Sequence, residues 1–457
     1  MMLQNTKRSV CFLLLMCTWY CFALSACQQN SAIKSTAKKT PNLSLATAKV
    51  HAAIGVENYP NESYALYIPK NYTIEHNYPL YLFCDPQGSG AYPVSKYQSL
   101  AERYHAIIVG SNNSKNGIDV NICMAYLEHI LTDCKSKYAV NDSSINICGF
   151  SGGAKVAGFY AFQHPEVHSL ICGGAVPSIE QTPMHLPILI FAGKEDMNFT
   201  DLLQFTSAAD AQASLYHVGL LEFDGKHEWP DSSTYEYAFL MNDEGDESRA
   251  NALRFVQEVE RKKYATVLDQ LNAYEVSVQL LANKTSTQSL QKFINELSNN
   301  SNTTKLRSQK AAQINIEQGM KEYYNAVIGT KDVNWWKTER EKLNHPQSAT
   351  DLSMCKRVLG FLSLAGYSYS NRYINQNDFI NAQKMLDFYK AVDPQNSDQP
   401  YLSALMYAKM GDHKKAIIEL NDAIDLGFTN KSKIVNEVSF QSFNNETEFK
   451  KMMQRIP

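Results

Sequence analysis

The sequence lacks a marked excess of charge of either sign and, beyond its first residues, any long apolar run. It contains 43 lysine and arginine residues against 46 aspartate and glutamate residues, a formal net charge of −3. A balance so close to neutral gives no electrostatic reason to expect nucleic-acid binding. After the N-terminal region no segment holds 18 consecutive apolar residues, so no membrane-spanning helix is expected there.

Metal-ligand spacing is also missing from the cysteines. The chain has 10 of them, and no pair is spaced as metal ligands are. Several lie in apolar runs, where a thiol behaves as a small hydrophobic side chain. Those beyond residue 27 are Cys84, Cys123, Cys134, Cys148, Cys172 and Cys355. We predict no metal and no cofactor, and mostly free thiols, although an exported protein could pair some of them.

The first 27 residues have the layout of a targeting segment. Lys7 and Arg8 precede an apolar run from Val10 to Met16, and small residues lead on to Cys27. The run is too short to span a membrane comfortably, as is typical of a signal peptide. Residues 28–48 are rich in Ser, Thr, Lys and Asn, which predicts a flexible tether.

The end of this segment, Leu-Ser-Ala-Cys at residues 24–27, resembles the lipobox of bacterial lipoproteins. That resemblance implies removal of residues 1–26, acylation of Cys27, and an exported protein anchored in a membrane. Several acyl chains on one cysteine would make a firm anchor. An ordinary signal peptide cut nearby is the alternative.

From residue 49 to 247, short apolar runs typical of buried strands alternate with helical patterns. The runs include residues 64–68, 80–84, 106–109, 144–148, 169–172 and 188–192. This alternation predicts an α/β domain with a mainly parallel sheet covered on both faces. Strand signals then stop. Residues 248–350 are expected to form a helical connector, with a polar loop at 298–304.

The C-terminal part contains an internal repeat. The patterns at residues 377–382 and 411–416 recur at an interval of 34 residues, which is the tetratricopeptide period. Small residues at 404, 416 and 423 strengthen the resemblance to that family, because they let two antiparallel helices approach closely. Residues 351–457 are therefore expected to form a tetratricopeptide-like helical domain. Such domains present concave surfaces, so this one could hold a protein partner.

The motif that carries chemistry is Gly149-Phe150-Ser151-Gly152-Gly153. It follows an apolar strand-like run and precedes a helical pattern, which is the arrangement of a nucleophile elbow. Glycines permit a tight turn that lifts the serine hydroxyl above the sheet. The N–H of Gly152, at the helix start, could stabilise a developing oxyanion.

An acid and a base follow in the order that a catalytic triad requires. Asp196 comes shortly after the apolar strand 187–193, with Glu195 as the alternative acid. His227 lies in a Gly-flanked loop and is the expected base, whereas His217 lies within a strand-like run. A serine hydroxyl needs a base to take its proton, and a carboxylate orients that base.

Residues 50–245 thus resemble the α/β-hydrolase fold, and the segment Gly-Lys-His-Glu-Trp-Pro at 225–230 resembles esterases of the polyhydroxybutyrate-depolymerase and feruloyl-esterase type. Relatives carry a His-Gly pair after the early strand, where this chain has Asp85-Pro86. Pro86 has no N–H to donate. The second oxyanion donor expected by position is therefore the N–H of Gln87.

These features predict a membrane-anchored serine hydrolase that acts on a small-molecule or polymeric carboxylic ester through Ser151, Asp196 and His227. A peptide or amide bond is possible, because the same triad cleaves both. The alternative is a surface-anchored binding protein with a decayed hydrolase domain, whose helical repeats hold a peptide or protein. In a third hypothesis, the helical region is only a scaffold for the hydrolase.

Overall fold

The computed structural model describes residues 45–177, 186–210, 217–346, 348 and 351–456. The predicted signal peptide, Cys27 and most of the predicted tether lie outside these residues. Among the helices described, none combines the length and the apolar character needed to cross a bilayer.

An eight-stranded sheet occupies the first half of the described chain. Its strands are β1 (Val50–Val56), β2 (Tyr59–Tyr67), β3 (Tyr78–Cys84), β4 (Ile107–Ser111), β5 (Val140–Phe150), β6 (Val167–Gly173), β7 (Pro187–Gly193) and β8 (His217–Phe223). Their order is β1-β2-β4-β3-β5-β6-β7-β8. Only the β1–β2 and β2–β4 pairs are antiparallel. The predicted mainly parallel sheet is confirmed.

Helices connect the strands and then continue alone. They are α1 (Ala91–Arg103), α2 (Val120–Lys137), α3 (Gly152–Gln163), α4 (Phe199–Asp210), α5 (Ser232–Met241), α6 (Ser248–Arg261), α7 (Val267–Leu281), α8 (Gln288–Ser298), α9 (Ser301–Val327), α10 (Val333–Asn344), α11 (Leu352–Asn375), α12 (Phe379–Val392), α13 (Asp398–Lys409), α14 (His413–Asp425), α15 (Lys431–Val435) and α16 (Thr447–Met453). The predicted helical region after the sheet is confirmed.

The core has one apolar layer on each face of the sheet. Strand β3 shows why: successive side chains of a strand point to opposite faces. Leu80 and Leu82 pack into one layer, while Tyr81 and Phe83 pack into the other. All four are at most 1% exposed. A strand buried on both faces needs this continuous apolar sequence, which is why the run predicts it.

The six cysteines beyond residue 27 are buried free thiols. Three of them lie on the neighbouring central strands β3, β5 and β6, as Cys84, Cys148 and Cys172. Burial raises the pKa of the Cys148 thiol to about 12.

The prediction of a loop at residues 298–304 is wrong. Helix α8 ends at Ser298 and helix α9 already begins at Ser301. Asn300 is the reason, because its side chain accepts a hydrogen bond from the Asn302 N–H and caps the new helix. Polar residues that suggest a loop are here the start of a 27-residue helix.

Two helix pairs follow in the C-terminal part, α11 with α12 and α13 with α14. Small residues allow close packing: Ala404, Ala416 and Ala423 are fully buried, and a Cβ on Gly366 would lie 2.8 Å from Tyr389. The tetratricopeptide assignment and the domain boundaries remain predictions.

Candidate active site

Ser151 stands at the turn between β5 and α3. Its backbone has φ 52° and ψ −124°, a conformation that a non-glycine residue keeps only where its surroundings enforce it. The turn is tight: a Cβ on Gly149 would lie 2.4 Å from the Gly153 carbonyl oxygen. Ser151 is thereby held at the carboxyl end of a central strand.

His227 lies between Ser151 and Asp196 and is close to both. Its Nε2 is 2.8 Å from the Ser151 Oγ, and its Nδ1 is 2.9 and 3.0 Å from the two Asp196 oxygens. Asp196 follows β7 and His227 follows β8, so both loops reach the same edge of the sheet as the β5 turn. The structure brings the three predicted residues together.

The carboxylate beside His227 belongs to Asp196 and not to Glu195. Asp196 is 1% exposed, and its Oδ1 also accepts the Asn198 N–H at 2.8 Å, which fixes the carboxylate. Glu195 instead pairs with Lys356 at 2.6 Å. His217 is the first residue of β8. It therefore lies at the opposite end of that strand from the loop that carries His227.

The oxyanion side of the site is organised by Asp85. One of its oxygens accepts the Gln87 N–H at 2.9 Å, and the other accepts the Trp229 Nε1–H at 3.0 Å. Asp85 and Trp229 are 6% and 4% exposed. Trp229 therefore packs inside the protein and links the β3 loop to the loop of His227. The Gln87 N–H, predicted as an oxyanion donor, is already engaged.

The loop after β4 approaches the nucleophile from this side. The Asn116 N–H donates to the Pro86 carbonyl at 2.9 Å. Its side-chain amide lies directly against Gly152, since a Cβ there would be 1.8 Å from the Asn116 Oδ1. In the sequence, Asn116 is marked only by its place in the polar segment 111–117, which follows the strand-like run at 106–109.

Two helices of the C-terminal half hold the loop that carries Asp196. Arg357 of α11 donates to the Lys194 carbonyl at 2.6 Å, and Lys321 of α9 donates to the Met197 carbonyl at 2.7 Å. Glu317, which is fully buried, pairs with Arg357 at 2.5 Å and with Lys321 at 2.7 Å. We call these three side chains the Glu317 cluster.

The sequence does not predict this cluster. Charged residues on predicted helices usually form a solvated face, and no motif marks these three. The one available signal is their spacing: Glu317 and Lys321 are four residues apart and share a helix face.

A cleft of about 760 Å³ opens between the oxyanion-side loops and the helical region. Gln87 and Asn116 line one wall. Among the side chains on the other wall are Tyr367, Asn371, Asn375, Asn430, Lys433 and Asn436. Among the described residues, no group of three or more His, Cys, Asp or Glu side chains could hold a metal ion.

No protein-family model matches the chain, and no curated protein matches it. Solved structures of several esterases are similar over part of it. S-formylglutathione hydrolase from Staphylococcus aureus is 11% identical, with a TM-score of 0.32, over 39% of this chain and 91% of that one. Esterase B from Lactobacillus rhamnosis is 13% identical, with a TM-score of 0.36, over 48% and 91%.

A ferulic acid esterase from Anaeromyces mucronatus is also 13% identical, with a TM-score of 0.33, over 42% of this chain and 88% of that one. In each case the matched region is less than half of this chain. The strand order and strand directions of the sheet themselves establish the α/β class of this region.

Proposed function

We propose that this protein is a serine hydrolase of carboxylic esters that works through a covalent acyl-enzyme. The observation that supports this most directly is the continuous hydrogen-bonded chain from the Ser151 Oγ through the His227 ring to the buried Asp196 carboxylate. In such a chain the carboxylate fixes the imidazole tautomer, and the imidazole accepts the serine proton.

In the first half-reaction the Ser151 Oγ attacks the ester carbonyl carbon while its proton passes to the His227 Nε2. The carbonyl oxygen takes the electron pair of the broken π bond and becomes an oxyanion near the Gly152 N–H. The tetrahedral species then collapses. The bond to the alcohol oxygen breaks, and His227 gives its proton to the departing alcohol.

In the second half-reaction water takes the place of the alcohol. His227 accepts a proton from the water, whose oxygen attacks the acyl carbon. Collapse breaks the bond to Ser151, and His227 returns the proton to the Ser151 Oγ. The products are the carboxylic acid and free enzyme, so no cofactor is consumed.

An ester is favoured over an amide because the segment at 225–230 resembles esterases. The polar cleft beside Gln87 and Asn116 is the proposed place for the part of the substrate that does not react. Protein binding at the helical region remains part of the proposal. So does anchoring in a membrane through acylated Cys27, which is tested by detergent partition of wild type against Cys27→Ser.

The central test compares wild type with Ser151→Ala and Asp196→Asn. We expect a fluorophosphonate probe to label only chains that retain Ser151. We expect Asp196→Asn to lower kcat for p-nitrophenyl acetate by about 10⁴-fold, as loss of the tautomer-fixing carboxylate does elsewhere. Glu195→Gln is the matched control and should stay close to wild type.

Short p-nitrophenyl esters against peptide p-nitroanilides then separate ester from amide hydrolysis. Absence of labelling and of hydrolysis in the folded wild type would instead favour the binding-protein hypothesis.

A further inference from the structure

We propose that the side-chain amide of Asn116, and not a backbone N–H of the β3 loop, is the second oxyanion donor of this site. The inference rests on the proposed function and adds a catalytic residue to it. Three observations carry it: the backbone donors are missing or engaged, the Asn116 amide lies beside Gly152, and that amide has no hydrogen-bond partner among the residues that the structure describes.

The β3 loop offers no free donor at the expected place. Pro86 has no N–H. The Gln87 N–H donates to an Asp85 oxygen at 2.9 Å, and Asp85 is 6% exposed. Asp85 is fixed in turn, because Trp229 donates to its other oxygen at 3.0 Å. Freeing the Gln87 N–H would leave a buried carboxylate short of a hydrogen bond, which is costly.

The Asn116 amide occupies the space beside the first donor. An ideal Cβ on Gly152 would lie 1.8 Å from the Asn116 Oδ1 and 3.3 Å from its Nδ2. Gly152 begins helix α3 directly after Ser151, and its N–H is the donor expected from the elbow. A side chain packed against Gly152 therefore borders the position of the oxyanion.

The backbone of Asn116 is held while its side chain stays available. Its N–H donates to the Pro86 carbonyl at 2.9 Å, which ties the β4 loop to the β3 loop. Within the part of the chain that the structure describes, its side-chain amide takes part in no hydrogen bond. It also lines the cleft, so a bound substrate would meet it.

The chemistry of a carboxamide suits this task. Its NH₂ group supplies two donors and carries no charge that could change with pH. The oxygen and nitrogen exchange places by rotation about one side-chain bond, which lets the nitrogen turn toward a developing negative charge. A donor already positioned for an oxyanion commonly contributes about 100- to 1000-fold in kcat.

The test uses Asn116→Ala, which removes the amide, and Asn116→Asp, which keeps its shape but replaces the donor with an acceptor. Asn121→Ala, which removes an exposed amide at the start of α2, is the control. For each variant we would measure kcat and KM for p-nitrophenyl acetate, the inhibition constant of a trifluoromethyl ketone, and the thermal midpoint.

We expect kcat to fall about 100-fold or more in Asn116→Ala and further in Asn116→Asp, with KM within about threefold. The inhibition constant of the ketone should rise by the same factor as kcat/KM falls, because both depend on the oxyanion. A merely structural role would not link these two quantities. Asn121→Ala should match wild type in both.

Two results would overturn the inference. If wild type hydrolyses the ester through Ser151 and both Asn116 variants stay within threefold of its kcat, Asn116 is not a donor and the proposed function stands. If folded wild type shows no Ser151-dependent hydrolysis and does not bind the ketone, the proposed function fails and the inference fails with it.

Discussion

The two glycines after the nucleophile, Gly152 and Gly153, face different neighbours. Adding one methyl group is therefore expected to lower kcat at Gly152 and to lower stability at Gly153. At Gly152 the new Cβ would meet the Asn116 Oδ1, the end of a side chain on an exposed loop. We expect Gly152→Ala to fold with nearly wild-type stability, because the Asn116 side chain can move aside. Displacing it should lower kcat about 100-fold, as a misplacement of about 1 Å can.

Gly153→Ala is the matched comparison. Its Cβ would lie 2.0 Å from the Cys84 carbonyl oxygen, which is backbone of strand β3 and cannot move alone. Overpacking of this kind costs about 1–3 kcal/mol or more of unfolding free energy. Urea unfolding and ester hydrolysis of the two variants check the pair. Equal loss of stability in both would contradict this account.

At the residue scale the sequence predicts the three triad positions, because each follows an apolar strand and carries a diagnostic residue type. The contribution of Asp85 could not be predicted, because a carboxylate that binds two N–H groups from different loops is defined only by the fold. The place of Asn116 is hidden for the same reason. The loop that contains Asn116 follows a recognisable strand, but the sequence does not predict which of its asparagines contacts Gly152.

At the scale of elements, the Glu317 cluster connects helices α9 and α11 to the loop that carries Asp196. We expect Arg357→Met to lower the unfolding free energy by about 3 kcal/mol, because it leaves Glu317 buried with one partner fewer. We also expect kcat to fall. The carbonyl of Lys194, two residues before Asp196, loses its hydrogen-bond donor, so the loop that positions Asp196 is held less firmly. Chemical unfolding and steady-state kinetics check both effects.

Lys356→Ala is the control for this prediction. Lys356 is adjacent in the chain and pairs with Glu195, but the two side chains are 44% and 25% exposed. Solvent-exposed pairs contribute about 1 kcal/mol or less. A larger destabilisation by Lys356→Ala than by Arg357→Met would reverse the roles assigned here.

Glu236 of helix α5 links that helix to α1 and α6, and its ionisation makes stability depend on pH. Burial opposes ionisation of its carboxyl, but hydrogen bonds from Tyr104, Arg254 and Arg103 outweigh that effect and hold its pKa below the ordinary value. A lowered pKa in the folded state contributes stability above about pH 4.3, the ordinary value for glutamate. That contribution is lost as the pH falls through the folded-state pKa.

We therefore expect Glu236→Gln to lower the unfolding free energy by about 2 kcal/mol at pH 7, since hydrogen bonds to a charged group are lost. The difference from wild type should shrink progressively below about pH 4. Urea midpoints across this pH range measure it. A difference that stays constant into acid would show that ionisation of Glu236 is not its source.

Element boundaries show what the sequence can and cannot predict at this scale. Buried strands such as β3 and β7 are apparent as continuous apolar runs. Strand β1 is not, because it lies at the sheet edge, pairs only with β2 and is partly exposed. Its residues, Val-His-Ala-Ala-Ile-Gly-Val, include only three large apolar side chains, so no continuous run of large apolar residues marks the strand.

At the scale of the whole molecule, the described residues belong to one compact unit that spans residues 41–457. The Glu317 cluster, of which Glu317 and Arg357 are buried, joins the sheet region to the helical region within it. We therefore expect calorimetry of the purified chain to show one unfolding transition, with calorimetric and van't Hoff enthalpies in agreement. Arg357→Met, by weakening the junction, should broaden or split that transition.

Two well-separated transitions in wild type would instead mean that the helical region unfolds independently. The α/β class follows from local strand and helix patterns, so the sequence is sufficient to predict it. The packing of the helical region does not follow from local patterns. Its contacts with the loop that carries Asp196 are made by charged side chains, which in the sequence cannot be told from surface residues.

The buried thiols of the central strands affect how the protein resists oxidation and irreversible inactivation. A sulfhydryl whose pKa is raised by burial holds almost no thiolate at neutral pH, and thiolate is the species that oxidants and alkylating agents attack. While the sheet is intact, burial and a raised pKa both protect these sulfur atoms, so we expect the folded protein to tolerate an oxidising compartment without cross-links. Once the strands separate, the same atoms become competent to pair wrongly, and thermal inactivation there would become irreversible.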